Sequence, residues 1–225
     1  MSGMIRNGME DRYHIVRRGA LAGIAGPLIF AAVVVILTVA EYDFLRGLGW
    51  HPTRRNEVAW PSSTALGPYG WVQVANFVIF GLLMVVFAAG LWRAAKARGW
   101  SRVGPALVFV AGIAWLILGF FKTDRPGAEI SFSGIMHGVG FMLLILSMTL
   151  AFFTFAWTWR RDPYWRGLRW YSLASGVLLI AVLFILSAFL GQLTDYLFLL
   201  LVLAWPVVVG ARLRSTSSAP GGAMA

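Results

Sequence analysis

Along the chain, apolar residues gather in six long runs, separated by short stretches that carry nearly all of the charge. The runs cover about 19–40, 71–91, 103–121, 134–157, 170–190 and 196–210. About 20 apolar residues cross the hydrocarbon core of a bilayer as a helix. Within each run the apolar residues occupy every side rather than one stripe, the pattern expected where lipid replaces water. The pattern therefore predicts an all-α integral membrane protein, a six-transmembrane-helix bundle over 19–211. A segment 1–18 precedes it, and a small polar tail over 212–225 is expected to be disordered. The first run is about 22 residues, longer than the 7–15 of a signal-peptide core, so it is read as an uncleaved first helix.

Composition agrees. The chain has 225 residues, of which 59% are hydrophobic and 12% charged, and its mean hydropathy is +0.75. A soluble domain carries about twice that share of charge. There is no cysteine, which excludes disulfides, thiolate ligands and cysteine nucleophiles. The net charge is +10. In a soluble chain that excess would suggest nucleic acid; here it reads as a topogenic signal, with no nucleic-acid partner expected.

The basic residues fix an orientation. Arg6, Arg12, Arg17, Arg18, Arg93, Lys96, Arg98, Arg102, Arg160, Arg161, Arg166, Arg169, Arg212 and Arg214 fall on one side, and Arg46, Arg54, Arg55, Lys122 and Arg125 on the other. By the positive-inside rule both termini are cytoplasmic. Acidic residues split the opposite way, with Glu41, Asp43, Glu57, Asp124, Glu129 and Asp195 on the outer side. Tryptophans cluster at the same boundaries: Trp92, Trp100, Trp157, Trp159, Trp165 and Trp170 inside, Trp50, Trp60 and Trp71 outside. This is the belt expected at headgroup depth. The basic aromatic loop around Arg160, Arg161 and Arg166 is read the same way rather than as a headgroup site. Arginine over lysine, with abundant Gly, Ala and Trp, suggests a bacterial cytoplasmic membrane.

A helix rises 1.5 Å per residue, so depth can be counted from the inner arginines. Asn76 lies 17 residues from Arg93 and Asp195 17 from Arg212, about 26 Å up. Gln73, Gln192, Asp124 and His137 lie slightly higher, near the outer edge of a core about 30 Å thick. The polar chemistry thus forms a layer in the outer third of the bundle. Gln73, Asn76, Asp124, His137, Gln192 and Asp195 are the ligand-binding candidates, under the long loop 41–70 as a lid. His137 is the one histidine within a span, and an intramembrane ionisable group is a functional hypothesis by default. Gln73 and Asn76, three apart, share a face and also suit hydrogen bonds between helices. Ser62 and Ser63, with His137 and Asp124, supply the residue types of a serine hydrolase, though no Gly-x-Ser-x-Gly is present. Gly19 with Gly23, and Gly134 with Gly138, are small-xxx-small pairs that predict close helix packing. No metal site is expected, because zinc needs His or Cys ligands and only His51 and His137 lie on the outer side. No phosphate-binding glycine motif or paired haem histidines occur in the bundle, so no cofactor is expected.

Several stretches carry a likeness. Trp60-Pro61-Ser62-Ser63, followed by Leu66 to Phe77 (LGPYGWVQVANF), resembles the entry into helix 2 of a bacterial integral-membrane family, the domain of unknown function 998. Gly119-Phe120-Phe121-Lys122-Thr123-Asp124, followed by Gly134-Ile135-Met136-His137, resembles that family's second block, a Phe-x-x-Asp before a Gly-x-x-His. Lys122 stands where the pattern has proline. The resemblance spans about 15–212 and implies six helices with an outer polar cluster including Asp124 and His137; it implies no activity. Three functional readings follow: a pocket that binds or transports a small polar molecule or lipid headgroup, an outer-leaflet hydrolase, or a structural membrane protein without a ligand. The lipid bilayer is the expected partner in each, and the sequence fixes no oligomeric state.

Overall fold

The structure, a computed structural model, describes residues 2–54 and 58–217. It is helical throughout, with no strand among the described residues. The helices are α1 (Ser2–Ala40), α2 (Tyr42–Gly47), α3 (Gly70–Arg98), α4 (Val103–Phe120), α5 (Phe132–Trp159), α6 (Leu168–Ala181), α7 (Ser187–Leu190) and α8 (Leu193–Ser217). A π turn over Val182–Leu186 joins α6 to α7 within one apolar length, Leu168–Leu190. Six lengths are long and apolar enough to cross a membrane: Tyr13–Ala40, Gly70–Ala95, Val103–Phe120, Phe132–Trp159, Leu168–Leu190 and Leu193–Ser215. This is a multi-pass membrane protein.

Local chemistry sets the helix ends. Gly99, at φ +66°, takes the left-handed conformation that stops α3, and its N–H returns to the Ala95 carbonyl. Ser131 caps α5, its hydroxyl accepting from the Gly134 amide at 3.0 Å. At the other end of the chain α8 continues to Ser217, past the expected break at 212, so Arg212 and Arg214 are helical. The tail beyond 217, together with Arg55 and Glu57, lies outside the described residues.

The long helices pack in a ring, α8 against α1, α1 against α3, α3 against α4, α4 against α5 and α5 against α6, with a thinner contact from α6 back to α8. An even number of long helices brings the start of α1 and the end of α8 to one face of the bundle. Loop 41–70, the α4–α5 connection and the α7–α8 hairpin occupy the opposite face. Gly19 fulfils its expected role: a Cβ there would lie 2.6 Å from the Gly90 Cα, so these two glycines set how closely α1 and α3 approach. Above that contact Phe30, Phe77 and Phe80 close on Trp115 with ring centroids 4.9–5.7 Å apart.

The tryptophan belt needs correction. Trp92, Trp157, Trp170 and Trp71 are exposed, but Trp50, Trp100, Trp159 and Trp165 are buried. Trp159 stacks on Trp165 at 4.9 Å, and Trp100 meets Trp165 edge-on at 5.0 Å. The α3–α4 and α5–α6 connections fold over these rings because Asp162 holds them. Its carboxylate accepts from Arg98 Nε (2.6 Å) and Nη2 (2.9 Å), Trp100 Nε1 (3.0 Å) and the Tyr164 amide (2.9 Å). Burial pushes the Asp162 carboxyl up, but the Arg98 and Trp100 bonds outweigh it and hold the group below the usual aspartate range. Depth alone does not separate a ring at the lipid headgroups from one at the same level inside the protein.

Candidate functional site

Loop 41–70 has structure of its own. Leu45 of α2 forms a small satellite core with Trp50 and Val58. Glu41 is buried, and its Oε1 accepts from the Tyr69 amide at 2.6 Å, tying the two ends of the loop together. Burial raises the Glu41 carboxyl above its ordinary range, the Tyr69 bond opposing this. Trp60 Nε1 donates to Thr38 Oγ1 at 3.0 Å. The cis Trp60–Pro61 bond then leads into a 3-10 turn over Ser62–Leu66. Within that turn the Ser63 amide and hydroxyl both bond to the Ala59 carbonyl, and Thr64 Oγ1 donates to the Pro61 carbonyl at 2.7 Å. These bonds use up Ser63 and leave Ser62 to point elsewhere.

Ser62 meets His137. The Ser62 Oγ lies 3.0 Å from His137 Nε2, while His137 Nδ1 lies 2.7 Å from the Phe121 carbonyl oxygen. A carbonyl only accepts, so Nδ1 carries the proton and Nε2 is the acceptor. The Ser62 hydroxyl therefore donates to Nε2. The arrangement has the geometry that a nucleophile–base pair requires, with the ring oriented by a third group, here the backbone at the end of α4. The imidazole is 8% exposed.

The pair opens on a cavity of about 340 Å³ between α3, α4, α5, α8 and the lid. Ser62, Thr123, His137 and Asp195 supply its polar side chains, and Phe77, Trp115, Phe141, Phe198 and Leu199 are among its apolar walls. A mostly apolar pocket with a few convergent polar groups is the usual form of a small-molecule site. Gly138 lies on its wall. A Cβ there would meet nothing within 4 Å, so this glycine serves open space rather than the close packing its spacing suggested.

The other sequence candidates sort by position. Asp195 lines the cavity and accepts from Gln192 Nε2; Gln192 is buried beside it without lining the cavity. Asn76 faces α1: its Nδ2 donates to the Phe30 carbonyl at 3.2 Å and to Gln73 Oε1, on its own helix, at 3.3 Å. Asn76 joins α3 to α1, Gln73 is buried beside it, and neither lines the cavity. Asp124 makes no hydrogen bond to His137. Its carboxylate accepts from the Ser131 amide (2.9 Å) and hydroxyl (2.6 Å), which hold its pKa below the usual range. It organises the start of α5 and so positions His137 indirectly. No group of three or more His, Cys, Asp or Glu side chains suits a metal among the described residues.

Thr123 and Gly138 were missed from the sequence. Nothing there distinguishes a glycine facing a void from one facing a helix. The role of the Phe121 carbonyl was equally hidden, since a backbone atom leaves no residue-type signal.

No curated protein and no solved structure matches the chain. The family model described as a protein of unknown function, DUF998, matches residues 24–212, and it takes in every residue that builds the cavity; the chain belongs to that family.

Proposed function

We propose that this protein is a membrane-embedded hydrolase in which Ser62 attacks an ester or related acyl bond of an amphiphile held in the cavity. The observation that carries the reading is the 3.0 Å contact from Ser62 Oγ to His137 Nε2, with Nδ1 committed to the Phe121 carbonyl. A positioned serine–base pair of this kind is a requirement of nucleophilic acyl transfer. As the bond from Oγ to the acyl carbon forms, Nε2 takes the Ser62 proton. It returns that proton to the leaving alcohol as the carbon–oxygen bond breaks. Water then attacks the acyl-serine and gives a proton to Nε2; the bond from the acyl carbon to Oγ breaks, the carboxylic acid leaves, and Nε2 returns the proton to Oγ, which restores Ser62. The developing oxyanion needs donors. The Ser62 amide, first in its 3-10 turn, and the Thr123 hydroxyl on the cavity wall have no hydrogen-bond acceptor among the described residues, and they are the groups assigned to it.

The excess of basic residues on the side of the chain ends supports placing the cavity on the outer side of a bacterial cytoplasmic membrane. The apolar walls beneath a polar rim suit a molecule with a small head and a hydrocarbon body. A second reading, binding or transport of such a molecule without chemistry, is favoured by Asp195, which adds a carboxyl group to the cavity that the serine mechanism does not use.

A fluorophosphonate probe, applied to the intact protein in membranes and mapped by mass spectrometry, separates these. Hydrolysis predicts label on Ser62, lost in Ser62→Ala, retained in Ser63→Ala and strongly reduced in His137→Ala. Absence of label from Ser62 in the wild-type protein overturns the hydrolase. Co-purified amphiphile would then leave the binding reading standing, and an empty cavity would leave a structural role.

A further inference from the structure

A second hollow lies beside the cavity, on the lipid-facing side of the bundle. It is a groove of about 460 Å³ between α1 and α8. Pro27, Ala31 and Val35 line it from α1, and Leu200, Ala204 and Val208 from α8. Both sets recur every fourth residue, so each forms one straight row along its helix. The lower end is shut where α1 and α8 touch: a Cβ on Gly210 would lie 2.9 Å from the Ala20 carbonyl oxygen. The upper end is shut by Trp60, whose ring meets Tyr196 edge-on at 4.6 Å. Trp60 and Leu199 each line both the groove and the cavity that holds Ser62 and His137. The two hollows therefore adjoin at these two side chains.

Size selects the occupant. From Tyr196 to Val208 the groove runs 12 residues along α8, about 18 Å. One leaflet contributes about half of the 30 Å hydrocarbon core, roughly 15 Å. At the roughly 30 Å³ that a water molecule takes up in the liquid, 460 Å³ holds about 15 heavy atoms of a chain. A partner helix is about 10–12 Å across and would follow the bundle for the full core of about 30 Å, whereas this groove covers only about 18 Å of it. The dimensions are those of a single acyl chain from the leaflet on the cavity side.

We propose that the groove seats one acyl chain of a bilayer lipid. The lipid enters sideways between α1 and α8, past Trp60 and Tyr196, and its ester reaches Ser62. This rests on the hydrolase reading for the chemistry but not for the occupant. It names the substrate class as a long-chain acyl lipid drawn from the membrane rather than a solute from the water. Trp60 is the moving part. Its single polar bond, to Thr38 Oγ1, holds the ring in the dividing position, and release of that bond joins the two hollows.

The test uses the full chain in phosphatidylcholine vesicles doped with a phosphatidylcholine that carries a diazirine on one acyl chain. After irradiation, labelled residues are mapped by mass spectrometry. The expected result is label on Ala31, Leu200 and Ala204 about tenfold above that on Phe184 and Phe189, a difference equivalent to a tenfold affinity ratio. Those two phenylalanines are exposed on the bundle but lie outside the groove. Leu200→Trp fills the groove from its exposed side, and should lower both this label and the ratio of long-chain to short-chain ester turnover. Label no denser in the groove than on Phe184 and Phe189 overturns the proposal, as does an unchanged chain-length ratio in Leu200→Trp. Ser62→Ala should leave the label in place. Groove label without ester cleavage would sink the hydrolase and keep the seat; cleavage without groove label would do the reverse.

Discussion

Gly138 and Gly134 stand one helical turn apart on α5, yet the structure gives them opposite roles, and substituting each by leucine tests the cavity directly. A Cβ on Gly134 would overlap the Asp124 carboxylate, whereas a Cβ on Gly138, which lines the cavity, meets nothing within 4 Å. In Gly138→Leu, replacing glycine within a helix contributes about 0.5–1 kcal/mol of stability, with no overpacking to offset it. For a chain of this size 1 kcal/mol corresponds to about 2–4 °C in Tm, so Tm should hold or rise by that amount. The four added carbons take up about 120 Å³ at roughly 30 Å³ each, a third of the 340 Å³ available. Labelling of Ser62 by a bulky fluorophosphonate should therefore fall steeply while the protein stays folded. Gly134→Leu should lose about 1–3 kcal/mol to overpacking and lower Tm. Differential scanning fluorimetry alongside labelling kinetics reads both. If Gly138→Leu destabilises as Gly134→Leu does, or labels at the wild-type rate, the cavity is not the route to Ser62.

Three further outcomes follow from the same structure. Asp162→Ala, which leaves Arg98 and Trp100 without their shared acceptor, should cost about 3 kcal/mol and shift the emission of the buried inner tryptophans, read by thermal unfolding and fluorescence. The Asp124 carboxyl is held below its ordinary pKa by the Ser131 hydroxyl and amide, so its contribution to stability is complete above about pH 4 and is lost as pH falls through the lowered value. Asp124→Asn should flatten that acid limb in a pH series of unfolding midpoints, and an unchanged limb would refute the assignment. Because the chain has no cysteine, single cysteines at Arg161 and Thr53 give a clean topology map. An impermeant maleimide on intact cells should label Thr53→Cys and spare Arg161→Cys.

The sequence by itself determined the architecture. Six runs too apolar for water and long enough for a bilayer leave a helical bundle as the solution, because lipid provides no partner for an open backbone. The runs 103–121, 134–157 and 170–190 lie within two residues of the observed helical lengths, but α1, α3 and α8 run on through charged residues to Ser2, Arg98 and Ser217, because leaving the apolar layer does not by itself stop a helix. A helix has a fixed rise, so counting along the chain groups Asn76, His137 and Asp195 at a similar level, and the structure brings His137 and Asp195 to one cavity. The azimuth of each residue around its helix was not legible, because an all-apolar helix has no stripe to say which side faces inward. That is why Gln73, Asn76 and Asp195 look alike in sequence, yet only Asp195 lines the cavity. Trp92 and Trp159 likewise share a depth, while one is exposed and the other buried. Only the tertiary structure decided that Ser62 and not Ser63 meets His137, because that choice depends on how a loop turn spends its hydrogen bonds. It alone turned Asp124 to Ser131 and gave His137 a backbone carbonyl as its partner. One-dimensional spacing carries length and depth; rotation about the helix axis and the direction of loop side chains are settled by the neighbours they pack against.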